Sequence, residues 1–216
     1  MEPKQKKSDT RWLRRKEARP GEILKAALEC FAESGFAATR LDDIAHRAGV
    51  TKGTLYLYFE NKEDIFKSVV REEVVKNIAR VEEIAADESQ TSAEILRRMF
   101  SFWGQLFLKT RVGALPKLIL SEGRNFPEIS RFYPEEVIQR GFRLLGGVLQ
   151  RGIDRGEFRA VNVENAVKCV IAPAIFTMLW KYSLEPHTDQ KLDVESLFHT
   201  HFDLILHGLS KDIGKD

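Results

Sequence analysis

The chain has 216 residues, 34 Lys and Arg against 32 Asp and Glu, a net charge of +2, and 43% hydrophobic against 31% charged residues. That balance is ordinary for a globular chain and excludes a disordered one; the length suits one large domain, or a small one joined to a medium one. No apolar run approaches the roughly 20 residues needed to cross a bilayer; the longest, 170–179, contains Pro173, and the basic start has no apolar stretch after it, so no membrane span or secretory leader is expected and a cytoplasmic location follows.

The small net charge hides a cluster. Lys4, Lys6, Lys7, Arg11, Arg14, Arg15, Lys16 and Arg19 stand near the start, with only Asp9 and Glu17 among them. Residues 1–19 lack helical apolar periodicity and read as a flexible basic arm suited to phosphate. Pro20 suits the first turn of a helix. Ile23, Leu24, Ala27, Leu28 and Phe31 then share one helix face, and Ser34-Gly35 ends it. Thr39 and Asp42 have capping-box spacing before the stripe Leu41, Ile44, Ala45, Ala48. Gly49 supplies a sharp turn, and Thr51 caps a third helix reaching about Phe59. Two short helices joined by a glycine turn form a helix-turn-helix.

Asn61 caps a long fourth helix to about residue 86, and 87–92 reads as a loop. Ile95, Leu96, Met99, Phe100, Trp103, Leu106 and Phe107 mark a fifth helix. A sixth covers about 112–122. Pro134 opens a seventh that Gly156 closes, an eighth spans 166–179, and a ninth carries Val194, Leu197, Phe198, Phe202, Ile205 and Leu209. The fold class is therefore all-α, about nine helices: an N-terminal three-helix domain with the helix-turn-helix, followed by a C-terminal helical bundle. Cys30 and Cys169 sit among apolar residues and read as small buried hydrophobes.

The stretch 35–66, GFAATRLDDIAHRAGVTKGTLYLYFENKEDIF, resembles the DNA-binding domain of the TetR family of bacterial repressors. The matching features are the glycine after helix 1, Thr39, Asp43-Ile44-Ala45, Ala48-Gly49-Val50-Thr51, Gly53, Tyr56-Leu57-Tyr58-Phe59, Lys62 and Phe66. The resemblance implies a DNA-binding domain over 20–66 and an effector-binding and dimerisation domain over 67–216, and the basic arm over 1–19 is longer and more basic than the family minimum. The resemblance also implies base-edge contacts from Lys52, Gly53 and Thr54, next to Thr51, with Thr39, Tyr56, Tyr58 and Lys62 on the phosphate backbone. The chemistry suits this. Gly53 lets the backbone approach a duplex, Lys52 and Thr54 present polar groups to the major groove, and phenolic hydroxyls bond phosphate. Arg14 and Arg15 of the arm are expected to add phosphate or minor-groove contacts.

An enzyme needs converging acid, base or nucleophile chemistry. The sequence has no Gly-rich phosphate loop, nucleophile elbow or CxxC pair, so no enzyme and no cofactor is expected. His199, Asp203 and His207 share one helix face at metal-ligand spacing, but the apolar stripe of that helix explains them as a polar flank. The expected partners are an inverted-repeat DNA operator, a second copy of the chain, and a small apolar or aromatic effector that releases the DNA. Trp103, Phe107, Phe142 and Phe176 are the candidate pocket walls. Val167, Ile171, Ile175, Phe198, Phe202 and Ile205 are the candidate dimer interface. The alternative is a ligand-free DNA-binding or architectural protein whose helical domain only dimerises.

Overall fold

The computed structural model describes residues 6–211, and their side chains except at 6–19, 108 and 109. Among these residues the chain is all-helical, with one isolated antiparallel bridge, Phe158–Ser210, and no strand. Nine helical runs follow in order: α1 (Lys6–Ala38), α2 (Leu41–Arg47), α3 (Lys52–Tyr56), α4 (62–85), α5 (Ser92–Lys109), α6 (111–122), α7 (127–154), α8 (Val163–His187) and α9 (Val194–Leu209).

Three boundaries differ from the sequence expectations, each for a physical reason. The non-helical arm is corrected from Lys6 onward, because α1 starts there and carries Pro20 inside it. Residues 11–19 are mostly Arg, Lys, Glu, Leu and Ala, which are strong helix formers. Residues 1–5, and the side chains of Arg14 and Arg15, lie outside the described ones. The helical run breaks at Gly35, whose φ of 81° favours glycine. In the second case, α7 opens at Pro127, where a missing N–H costs nothing, and not at Pro134. Pro134 instead begins a π-helical stretch, Pro134–Ile138, that absorbs its missing donor inside the run. The third is α8. Its π-helical Trp180–Leu184 and a final 3-10 turn carry the helix on to His187. The 25-residue helix is, by length and composition, long and apolar enough to cross a membrane, correcting the short run expected over 170–179. Within the protomer most of its apolar residues are buried or half-buried, and Cys169, Ala172 and Phe176 are left exposed.

The chain divides into two compact units, Met1–Glu72 and Glu73–Asp216. In the first, α1, α2, α3 and the start of α4 close over Ile23, Ala27, Phe31, Phe36, Ile44 and Phe66, all fully buried. The rings of Phe31, Phe36 and Phe66 meet with centroids 5.4–5.7 Å apart. In the second, the central helix α5 is capped by Thr91, whose hydroxyl accepts the Glu94 N–H at 3.2 Å while the Glu94 carboxylate accepts the Thr91 N–H at 2.9 Å. Its inner face (Ile95, Leu96, Met99) packs with Val81 of α4, Val148 and Leu149 of α7, and Val167 and Val170 of α8. Cys30 is buried, which pushes its thiol pKa up, whereas Cys169 is exposed on the bare side of α8; the expectation that both are buried holds only for Cys30.

Candidate nucleic-acid interface

α2 ends in a Schellman turn. The Gly49 N–H donates to the His46 carbonyl at 3.1 Å and the Val50 N–H to that of Ala45 at 3.0 Å, with Gly49 at a φ of +66°. The turn delivers Thr51 as the cap of α3. Its hydroxyl accepts the Thr54 N–H at 3.2 Å and lies 2.9 Å from the Thr54 hydroxyl. Leu55, 1% exposed, pins the inner side of α3. Thr51, Lys52 and Gly53 lie exposed on the outer side. A Cβ on Gly53 would meet only the Thr51 hydroxyl, at 3.8 Å, so packing within the protein does not require a glycine there. Its effect is a flat outer surface at the start of the helix.

Tyr56 is 54% exposed, and Tyr58 is half-buried beside Phe59. Lys52 donates to Asp42 at 2.9 Å, a bond that holds its ammonium pKa above the ordinary lysine value. Leu57 is 79% exposed beside the tyrosines, which sequence reasoning missed. It follows the last residue of α3, and only the end point of that helix turns it outward.

Two expected phosphate contacts have other partners. Thr39 is 2% exposed. Its hydroxyl is 2.6 Å from the Gly35 carbonyl oxygen and 3.2 Å from that of Cys30, so it donates inward and is not on the surface. Nor does it cap α2: Arg40 is the N-cap residue, and the Arg40 N–H donates to the Asp43 carboxylate at 3.0 Å. The Lys62 ammonium donates to the carbonyls of Phe36 (2.7 Å), Ala37 (3.1 Å) and Thr39 (2.9 Å), and sits 4.6 Å from the Phe36 ring centroid. A group with three N–H donors thereby meets three backbone acceptors.

In the second unit, the four candidate wall residues do not converge. Trp103 stacks on Phe107 at 5.3 Å, and Phe107 alone of the four lines a small cavity of about 10 Å³, beside Thr177 and Met178. Phe142 packs against the core, and Phe176 is 48% exposed on α8. The larger space is an open groove of about 590 Å³ between α5 and α9, floored by Phe100, Phe198, Phe202 and Leu206, with Arg97 and Glu195 among the polar residues lining it. Phe198 and Phe202, expected at a dimer interface, therefore face this groove. Val167 is 2% exposed and belongs to the protomer's own core, so it is removed from that interface. Ile171, Phe202 and Ile205 pack against the same core, and Ile175 is half-buried. The bare apolar side of α8 and α9 is carried instead by Ala172, Phe176 and Leu204. His207 Nδ1 lies 2.9 Å from the backbone oxygen of Asp203, while His199 lines the groove. Among the described residues no three His, Cys, Asp or Glu side chains come together as a metal site.

Comparison with known proteins bears on both units. Residues 23–69 match the family described as bacterial regulatory proteins, tetR family, and residues 91–195 match the tetracyclin repressor-like C-terminal domain. The fatty acid metabolism regulator protein of Bacillus subtilis is 27% identical over 199 residues, 91% of this chain and 98% of that one. The transcriptional repressor KstR2 of Mycobacterium tuberculosis is 26% identical over 90% of this chain and 94% of its own. The crystal structure of FadR from Bacillus subtilis in complex with stearoyl-CoA superposes with a TM-score of 0.72 at 28% identity, covering 88% of this chain and 98% of that one.

Proposed function

The chain belongs to the TetR family of bacterial regulatory proteins and is a DNA-binding transcriptional regulator, and we propose that it is a dimeric repressor released from its operator by a small apolar effector. The observation that carries the DNA half is the outer surface of α3, where Lys52, Gly53 and Tyr56 are exposed beside the half-buried Thr54 on a helix fixed by a Schellman turn and a threonine cap. A two-fold dimer reads an inverted repeat, since both recognition helices must enter successive major grooves. The bare apolar side of α8 and α9 supports pairing with a second copy. The family's role in binding bacterial chromosomal DNA supports a cytoplasmic location.

For the effector, a long acyl chain carried as a thioester is the proposed class. The resemblance to the fatty acid metabolism regulator and to the stearoyl-CoA complex supports it, as does the abundance of aromatic and aliphatic surface around α5 and α9. By linkage, an effector that releases DNA binds the DNA-free dimer more tightly than the DNA-bound one. The ligand-free reading draws support from one observation, the cavity of only about 10 Å³ beside Phe107. Operator duplex is first recovered from a random-sequence pool with the purified protein and then titrated in the presence of stearoyl-CoA, stearic acid or coenzyme A alone. Loss of operator affinity with the acylated compounds only is the expected result. Thermal stabilisation by none of them, with operator affinity unchanged, favours the protein that only dimerises.

A further inference from the structure

We infer that Lys62 is a positioning residue for the recognition helix and makes no phosphate contact. The break of α1 at Gly35 creates a specific problem. The chain must turn within a few residues from α1 into α2, and the backbone carbonyls at a helix end have no helical partners. Here the carbonyls of Phe36, Ala37 and Thr39 converge on one point, and the Lys62 ammonium occupies it at 2.7–3.1 Å. The Thr39 hydroxyl takes the carbonyls further back, on Gly35 and Cys30. The positive charge also suits the negative end of the α1 dipole, and the Phe36 ring face lies beneath it.

The consequence for DNA follows from chain connectivity. Lys62 is the first residue of α4, fixed by the Asn61 cap, whose side chain accepts the Asp64 N–H at 2.7 Å. The clamp therefore ties the start of α4 to the connection that sets where α2 begins. The turn at Gly49 then carries that placement to α3. Without the ammonium, three inward carbonyls lose their donor, and the α1–α2 connection relaxes together with the angle at which α3 is presented. A phosphate ligand makes a different demand: an ammonium with free donors pointing outward.

The two roles separate on salt dependence and on specificity. Operator duplex recovered with the wild-type protein, and a scrambled duplex, are each titrated over a salt series with the full-length wild type, Lys62→Met and Lys62→Arg. Replacing charge-assisted bonds to three carbonyls should weaken operator binding by about 10- to 100-fold. Binding to the scrambled duplex should change far less, and the salt slope should stay at its wild-type value. Lys62→Arg should fail to rescue, because a planar guanidinium cannot direct three N–H groups at one converging set of carbonyls. A slope reduced by about 0.9, with affinity restored by arginine, would identify a phosphate contact and overturn the proposal. Wild-type operator affinity in Lys62→Met would overturn it equally. If that variant does not fold, Lys62→Gln decides, because it keeps amide donors without the charge: it should keep the wild-type salt slope, and a slope reduced by about 0.9 ends the idea. A wild-type protein that retains no duplex would instead overturn the DNA-binding reading on which the clamp rests.

Discussion

Replacing Leu204 with glutamate should separate the proposed dimer without unfolding the protomer. The protomer covers about a third of Leu204 and leaves 66% exposed. Burying a whole leucine side chain is worth about 1.5–3 kcal/mol, so a partner covering the rest can gain about 1–2 kcal/mol. An isologous interface uses the same residue twice, which makes about 2–4 kcal/mol per dimer. Leu204→Glu forfeits that and places two carboxylates in apolar surroundings. The dimer dissociation constant should therefore rise by about 30- to 1,000-fold. Sedimentation equilibrium over a dilution series measures this directly, and thermal unfolding followed by circular dichroism tests the monomer. The folded monomer loses little, because the side chain it replaces is already mostly in water. Phe176→Glu should behave in the same way. Val167→Asp should not: it buries a charge in the protomer core and should unfold the chain. Unchanged association in both Leu204→Glu and Phe176→Glu would refute the assignment of this face.

A Cβ on Gly152 would lie 2.2 Å and 2.4 Å from two ring carbons of Phe158. Gly152→Ala should cost about 1–3 kcal/mol by overpacking, against a helix-propensity gain of under about 1 kcal/mol. Gly141→Ala in the same run meets nothing within 4 Å and should stabilise by about 0.5–1 kcal/mol. Thermal melts check both, and a Gly152→Ala protein as stable as wild type refutes the packing argument. Lys52→Ala and Tyr56→Phe should weaken operator binding with circular dichroism unchanged. The lysine variant should lose more, since it leaves the Asp42 carboxylate unpaired on the duplex-facing side; equal retention of operator by both variants means that α3 is not the reading element. The Glu82 carboxylate is held below the ordinary glutamate range by its two-pronged bond to Arg140, at 2.7 and 2.6 Å. Its stabilisation is complete above the ordinary glutamate pKa and is lost as pH falls through the lowered native value. Glu82→Gln should accordingly reduce the acid sensitivity of thermal stability, and an identical pH profile would show that the pair contributes nothing.

The helix count, the all-α class and the helix-turn-helix were legible in the residues because they rest on local rules. Apolar spacing at 3.6 residues marks the faces, and Gly35, Gly49 and Gly156 mark positive φ turns. Thr51 and Asn61 announce their helices as caps that bond the backbone N–H three residues on. Such signals act over a few residues, so one sequence fixes them.

What spacing could not decide is which neighbour a face meets. Thr39 and Lys62 are 23 residues apart and polar, and either suits phosphate as a residue type; only the packing of α1 against α4 turns both inward onto carbonyls. Val167 and Phe176 look alike on α8, yet one is 2% exposed and the other 48%, because α6, α7 and α9 pack against that helix and leave Phe176 uncovered. Trp103, Phe107, Phe142 and Phe176 have the composition of a pocket wall, but their side chains lie on three different helices and point to different places. Periodicity reports that a helix has an apolar side. Whether that side meets the core, a groove or a second copy depends on contacts between residues distant in the chain, which only the tertiary structure sets.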